Sequence, residues 1–136
     1  MEQKTLNSQL AEWRQDLHRH PETAFEEVYT AEFVAEKLRS FGLTVHTGIG
    51  GTGVVASLTA GNGSRVIGLR ADMDAICLGE RGSHDHVSLT PGKMHGCGHD
   101  GHTVTLLGAA KLLAENPDFD GTVRFIFQPA EEPGKI

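Results

Sequence analysis

Nine consecutive residues, Met94-His95-Gly96-Cys97-Gly98-His99-Asp100-Gly101-His102, constrain this chain more than any other part of it. They hold three histidines, a cysteine and an aspartate, spaced by three glycines. Cysteine and histidine are the side chains that bind zinc and similar divalent ions best. Glycines between them let the backbone fold tightly, so that several side chains converge on one point. A polar, glycine-rich surface loop is the bland alternative, and the density of ligand types argues for metal. A second acidic element, Glu131-Glu132, follows an apolar, strand-like run. Together the two elements suggest a metallohydrolase, one holding metal and the other supplying a further ligand and a general base.

The surrounding pattern places that chemistry. Leu10, Trp13 and Leu17 recur on one helical face, which predicts a helix over Ser8 to Arg19 that stops at Pro21. Phe33, Val34, Leu38 and Phe41 predict a second helix over Thr30 to Ser40, with Gly42 as its stop. Leu43 to Thr47 reads as a short strand. Val54 to Thr59 and Arg65 to Arg70 read as strands joined by a hairpin-type turn, Gly61-Asn62-Gly63-Ser64. The pattern disappears from Ala75 to Lys93, which reads as an exposed loop. Thr103 to Glu115 reads as a helix ended by Asn116-Pro117, and Thr122 to Gln128 as an apolar strand ended by Pro129.

The last strand, helix and strand favour parallel pairing with a right-handed crossover. The expected class is α/β, a mixed sheet carrying an antiparallel hairpin on one side and helices on its faces. Asp72 and Asp74 follow one strand of the crossover unit, Glu131 and Glu132 follow the other, and the Cys/His segment opens the helix between them. All three then meet at the C-terminal edge of the sheet, where open α/β folds put their ligand sites.

Within that convergence, Cys97 and His99 are two residues apart. In an extended segment they point the same way and reach one metal or a close pair of metals. His102 either touches metal or caps the helix. His95 is either a hydrogen-bonding support for a ligand or an exposed loop histidine. One carboxylate of Glu131-Glu132 can bind metal while the other takes a proton from water. Asp74 can orient a ligating histidine or the base. His18, His20, His46, His84 and His86 have no identifiable partners and read as surface or core residues.

The formal charge of −6 argues against a nucleic-acid or anionic-membrane partner. No apolar run approaches bilayer length, and the first residues lack a basic-then-apolar leader pattern, so a cytoplasmic location is expected. Two cysteines, Cys77 and Cys97, are too few for a disulfide scaffold and read as free thiols or ligands.

Leu17-His18-Arg19-His20-Pro21-Glu22, Gly68 to Ala75, Met94 to His102, and Phe127-Gln128-Pro129-Ala130-Glu131-Glu132 resemble, in order, the successive motifs of the M20 metallopeptidase family. The branch most resembled is that of the N-acyl-amino-acid amidohydrolases, with the hippurate hydrolases and auxin-conjugate hydrolases. The resemblance implies a homo-oligomeric amidase with two divalent metal ions, manganese or zinc, acting on small N-acyl amino acids. It implies that Cys97, His99 and Glu132 are metal ligands, Glu131 the general base and Asp74 a supporting residue near the site.

Family members are much longer, with a second, smaller domain and two more metal-binding histidines beyond the paired glutamates. Residues 1–136 are therefore expected to be the N-terminal part of an incomplete zinc-peptidase-like catalytic domain. Partial metal occupancy, impaired activity and an exposed Thr122–Gln128 strand follow as expectations. Ile76-Cys77-Leu78-Gly79 also departs from the branch, which usually has a proline-containing segment there. The competing readings are a non-catalytic metal-binding fragment or inactive remnant, and an interaction module without metal.

Overall fold

The computed structural model describes residues 5–133; residues 1–4 and 134–136, assigned above to the same domain, lie outside the described residues. The elements run α1 (Leu6–Arg19), α2 (Val28–Ser40), β1 (Thr44–Ile49), β2 (Gly53–Ala60), β3 (Val66–Asp72), α3 (His99–Glu115) and β4 (Gly121–Gln128).

The first two helices start where a side chain satisfies free amides. The Thr5 hydroxyl accepts the Ser8 N–H at 3.1 Å and caps α1. For α2 the cap comes from upstream. The Glu22 carboxylate accepts the N–H groups of Tyr29 and Thr30, both at 2.7 Å. Glu27, at the cap position itself, is free to turn its carboxylate inward. The apolar face of α1 brings Trp13 against Phe33 and Phe41, with ring centroids 6.3 and 6.2 Å apart.

The fold class is the expected one, a mixed sheet flanked by helices. The strand order is β1-β2-β4-β3, with β2 antiparallel to both neighbours and β3 parallel to β4. The expected hairpin between β2 and β3 does not form, because β4 lies between them. The reason is local. Asp120, just ahead of β4, accepts the Asn62 and Gly63 N–H groups at 2.6 and 2.7 Å and ties the turn to the start of β4. The antiparallel hairpin is β1–β2 instead.

The central position suits β4, whose Val123, Phe125 and Phe127 are all buried. They join Val54, Ala56 and Ala71 of the sheet, Val34, Ala35 and Leu38 of α2, and Leu106, Leu107 and Ala110 of α3 in one core. Thr122–Gln128 is thus paired on both sides, contrary to expectation. Among the described residues the unpaired edges are β1 and β3, and β3 exposes Val66 and Ile67, at 55% and 58%.

The segment after β3 is mostly exposed, as its lack of pattern suggested. It is nonetheless closed at its base, where Ile76 and Met94 exchange two backbone hydrogen bonds of 3.1 Å. Among the described residues no helix is long and apolar enough to cross a membrane.

Candidate metal centre

The parallel pair β3–β4 ends with Asp72 opposite Gln128. The Met73 N–H still donates to the Gln128 carbonyl at 3.1 Å, so the two chains leave the sheet together. Asp74 and Glu131-Glu132 therefore emerge side by side. The third element arrives differently from the sequence expectation. Helix α3 begins at His99, four residues before the predicted start, so Cys97-Gly98-His99 is not extended. Gly98 takes a left-handed conformation, φ 89°, that a residue with a Cβ rarely adopts. That turn carries His99 to the head of α3 and leaves Cys97 exposed beside it.

His99 is buried, and its tautomer is set. Its Nδ1 lies 2.7 Å from the Asp74 carbonyl and 3.1 Å from Asp74 Oδ1. A carbonyl oxygen only accepts, so Nδ1 carries a proton and, in the neutral ring, Nε2 bears a lone pair. Nε2 faces Asp72 Oδ2 at 3.4 Å, Glu132 Oε1 at 3.4 Å and Glu131 Oε2 at 3.8 Å. Lone pairs of a nitrogen and three carboxylates directed at one small space fit a divalent cation. Ligand atoms of Cys97, His99 and Glu132 lie within 4.8 Å of one another. The same holds for Asp74, His99 and Glu131, and for Asp72, His99 and His102. The Cys97 thiol is pushed above its ordinary pKa by its hydrogen bond to Glu132, then by local desolvation and the charges of Glu132, Glu131 and Asp74. A cation among these acids acts in the opposite direction.

Asp74 also holds the other end of the site. Its Oδ2 accepts the Glu132 N–H at 3.0 Å. Asp72 was given no role from sequence, yet its Oδ1 accepts from His102 Nδ1 at 2.7 Å while Oδ2 faces His99. The clue was available: Asp72 and Asp74 alternate at a strand end. His102 is largely exposed and bonds this carboxylate rather than capping the helix.

The exposed-loop reading of His95 is overturned. It is buried, both ring nitrogens lack a hydrogen-bond partner, and burial holds its pKa down to about 4. Asp100 bonds His18 Nδ1 at 2.8 Å and Arg14 Nε at 3.1 Å. His18 is thus buried with partners on other elements, which sequence reading did not find.

Glu27 was also missed. It is fully buried, its Oε2 accepts the Ala130 N–H at 2.7 Å, and its Oε1 accepts from the Thr52 hydroxyl at 3.0 Å. Ala130 sits in the left-handed region, φ 53°, immediately before Glu131. The strained turn presenting Glu131-Glu132 is therefore held on one side by Glu27 and on the other by Asp74. Clefts of ≈ 470 Å³, lined by Asp72 and His102, and ≈ 280 Å³, lined by Asp74, Cys77 and Glu132, open beside the cluster.

Residues 68–135 match the family model described as peptidase family M20/M25/M40. The chain is 48% identical over 127 residues to a hippurate hydrolase of Campylobacter jejuni, covering 93% of this chain and 33% of that protein. It is 47% identical over 121 residues to an N-acyl-L-amino acid amidohydrolase of Geobacillus stearothermophilus, covering 88% of this chain and 33% of that protein. The fold superposes on the crystal structure of the Bacillus subtilis YXEP protein, a dinuclear metal-binding peptidase from the M20 family. That match has a TM-score of 0.88 and 38% identity, and covers 92% of this chain and 36% of the other. The chain spans about a third of the length of the curated relatives it matches. On the family match, the identities and the shared fold, the chain belongs to peptidase family M20/M25/M40.

Proposed function

We propose that this chain carries part of the catalytic centre of a metal-dependent amidohydrolase that cleaves the amide bond of small N-acyl amino acids. The observation that carries the reading is His99, whose Nδ1 is bonded to Asp74 while its Nε2 faces Asp72, Glu131 and Glu132. Cys97, His99 and Glu132 are the residues proposed to hold metal, within a complete site for two divalent ions, manganese or zinc. Bound divalent metal supplies Lewis-acid polarisation of the scissile carbonyl and makes water a stronger acid.

The chain's own residues do the rest. Asp74 fixes the ring of His99 and the backbone of Glu132. Glu131 is the general base. Its carboxylate takes a proton from the attacking water as the C–O bond forms, and returns it to the amine nitrogen as the C–N bond breaks. The products are a carboxylic acid and a free amino acid. The N-acyl preference is supported by the identity to the hippurate hydrolase and the N-acyl-L-amino acid amidohydrolase. The proposed domain assignment, 1–136 as one part of a larger catalytic domain, is supported by the one-third coverage of those relatives.

The test is an assay of the protein that carries this chain, loaded with manganese or zinc, against N-benzoylglycine and unblocked dipeptides. The expected result is release of glycine from N-benzoylglycine, lost in Glu131→Gln while metal content is retained. Cleavage of unblocked dipeptides with none of the N-acyl substrate would refute the substrate class.

A further inference from the structure

A second group of ligand atoms lies outside the cluster around His99. Ligand atoms of His18, Glu80 and His84 fall within 4.8 Å of one another. Glu80 Oε2 is 3.0 Å from His18 Nε2 and 2.8 Å from His84 Nε2, so two imidazoles share one carboxylate oxygen. The other oxygen, Oε1, is fixed by the Ser88 N–H at 2.8 Å, which aims Oε2 at the histidines.

The support behind this group has the form of a ligand site. Asp100 accepts from His18 Nδ1 at 2.8 Å, and Arg14 holds the same Asp100 oxygen at 3.1 Å. A carboxylate on Nδ1 is the arrangement that orients a ligating histidine and directs its Nε2 at a metal. His18, Glu80 and Asp100 are shielded, their side chains 6%, 8% and 4% exposed, whereas His84, at 39%, opens the group to solvent. A third imidazole, His86, stands with its ring 4.0 Å from that of His84 and 5.6 Å from that of His18.

A proton on His18 Nε2 is the competing occupant, giving an imidazolium between two carboxylates. It accounts for His18 and Glu80 but needs neither His84 nor His86. Three imidazole rings this close together repel one another when protonated, and the two at Glu80 gain when neutral and bound to a cation.

We propose that His18, Glu80 and His84 form a second metal site, for a divalent ion of the zinc type, that pins the loop between β3 and α3 to the C-terminal end of α1. Two imidazoles and a carboxylate are a ligand set for zinc or cobalt. The site stands on its own geometry and does not depend on the catalytic reading of Cys97 and Glu131.

The experiment is titration of the chain with Co²⁺ alone, read by absorption. Cys77→Ser and His99→Ala are present in every protein tested, so in Cys97→Ala no thiolate and no cluster around His99 remains; no thiolate-to-cobalt charge-transfer band is then expected, and the ligand-field bands report a nitrogen and oxygen site elsewhere. Adding His84→Ala or Glu80→Gln to Cys97→Ala should weaken the residual binding at least about 10-fold. Far-UV circular dichroism checks that each variant is folded. Cys97→Ala with His84→Cys gives a positive signature, because cobalt binding should then bring back a charge-transfer band. Residual cobalt binding that is unchanged by His84→Ala and Glu80→Gln overturns the proposal, as does the absence of a new band with His84→Cys.

Discussion

Asp74 accepts the Nδ1 proton of His99 on its backbone carbonyl at 2.7 Å and its carboxylate at 3.1 Å, and so decides which nitrogen faces the cluster. Removing the carboxylate leaves the carbonyl contact but frees the ring to rotate and releases the Glu132 N–H. Asp74→Ala is therefore expected to lower metal affinity by about 10–100-fold, the usual effect of losing such a support. Competition dialysis against a chelator of known affinity measures it. An unchanged affinity would refute the role assigned to Asp74.

Gly98 provides the turn that separates Cys97 from His99. A Cβ there meets nothing within 4 Å, so space does not forbid a side chain; only the backbone angle, φ 89°, does. Gly98→Ala should cost about 1–2 kcal/mol through that angle alone. Because the strain falls between two proposed ligands, metal affinity should drop along with the melting temperature. A loss of stability with metal affinity intact would place the strain elsewhere.

Glu27 holds the turn before Glu131 from inside the protein. Burial pushes its pKa up, against the hydrogen bonds from the Ala130 and Glu27 amides and from Thr52. Glu27→Ala strands the Ala130 N–H and opens a cavity, which together should destabilise the chain by about 2–4 kcal/mol. Glu27→Gln keeps the volume and an acceptor oxygen and should lose much less. Urea unfolding of the two variants compares them directly, and equal losses would show that the bond to Ala130 is not what matters.

How much of this was legible in the sequence depends on range. The helices and strands were readable because Leu10, Trp13 and Leu17, or Val123, Phe125 and Phe127, declare their period within a few residues. Gly61-Asn62-Gly63-Ser64 read as a hairpin-type turn, but the same residues serve where the chain only bends and a third strand enters between the flanking two. Asp120, which decides the matter, lies 58 residues from Asn62. The dense Met94–His102 segment pointed to candidate ligands, but not to Gly98 bending it into a helix. The partners of His18 were invisible for the same reason as Asp120, since Glu80 and Asp100 are 62 and 82 residues away.

Tyr29 gives a prediction in alkaline solution. Burial, then the hydrogen bond to Asp16 and nearby carboxylate charges, raises its pKa from 10.0 to about 12. Its hydroxyl donates to both Asp16 oxygens at 3.0 Å, and its ring stacks on His20 at 4.2 Å. A folded-state pKa above the unfolded one means that the protonated form stabilises the fold. That contribution is complete below pH 10.0 and disappears as pH rises towards about 12. Tyr29 is the chain's single tyrosine, so phenolate absorbance reports it alone. The midpoint should lie well above that of the unfolded chain, and the stability advantage over Tyr29→Phe should shrink across the same interval. A midpoint equal to the unfolded value would contradict the Asp16 contact.

The exposed edge of the sheet leads to the last prediction. Among the described residues β3 pairs only with β4, and its outer side presents backbone N–H and C=O groups beside Val66 and Ile67. An unpaired strand with exposed β-branched residues is a template for another strand, and a charged side chain at such a position blocks it. The other edge, β1, is broken by a register shift between His46 and Ile49, which makes it a poorer template. Ile67→Lys should therefore reduce concentration-dependent self-association of the chain with little change in melting temperature, since Ile67 is 58% exposed. Phe125→Lys, at a fully buried position of the central strand, should instead abolish folding. Size-exclusion chromatography over a range of concentrations, with thermal melting, separates the two effects. If Ile67→Lys left self-association unchanged, β3 would not be the strand through which it occurs.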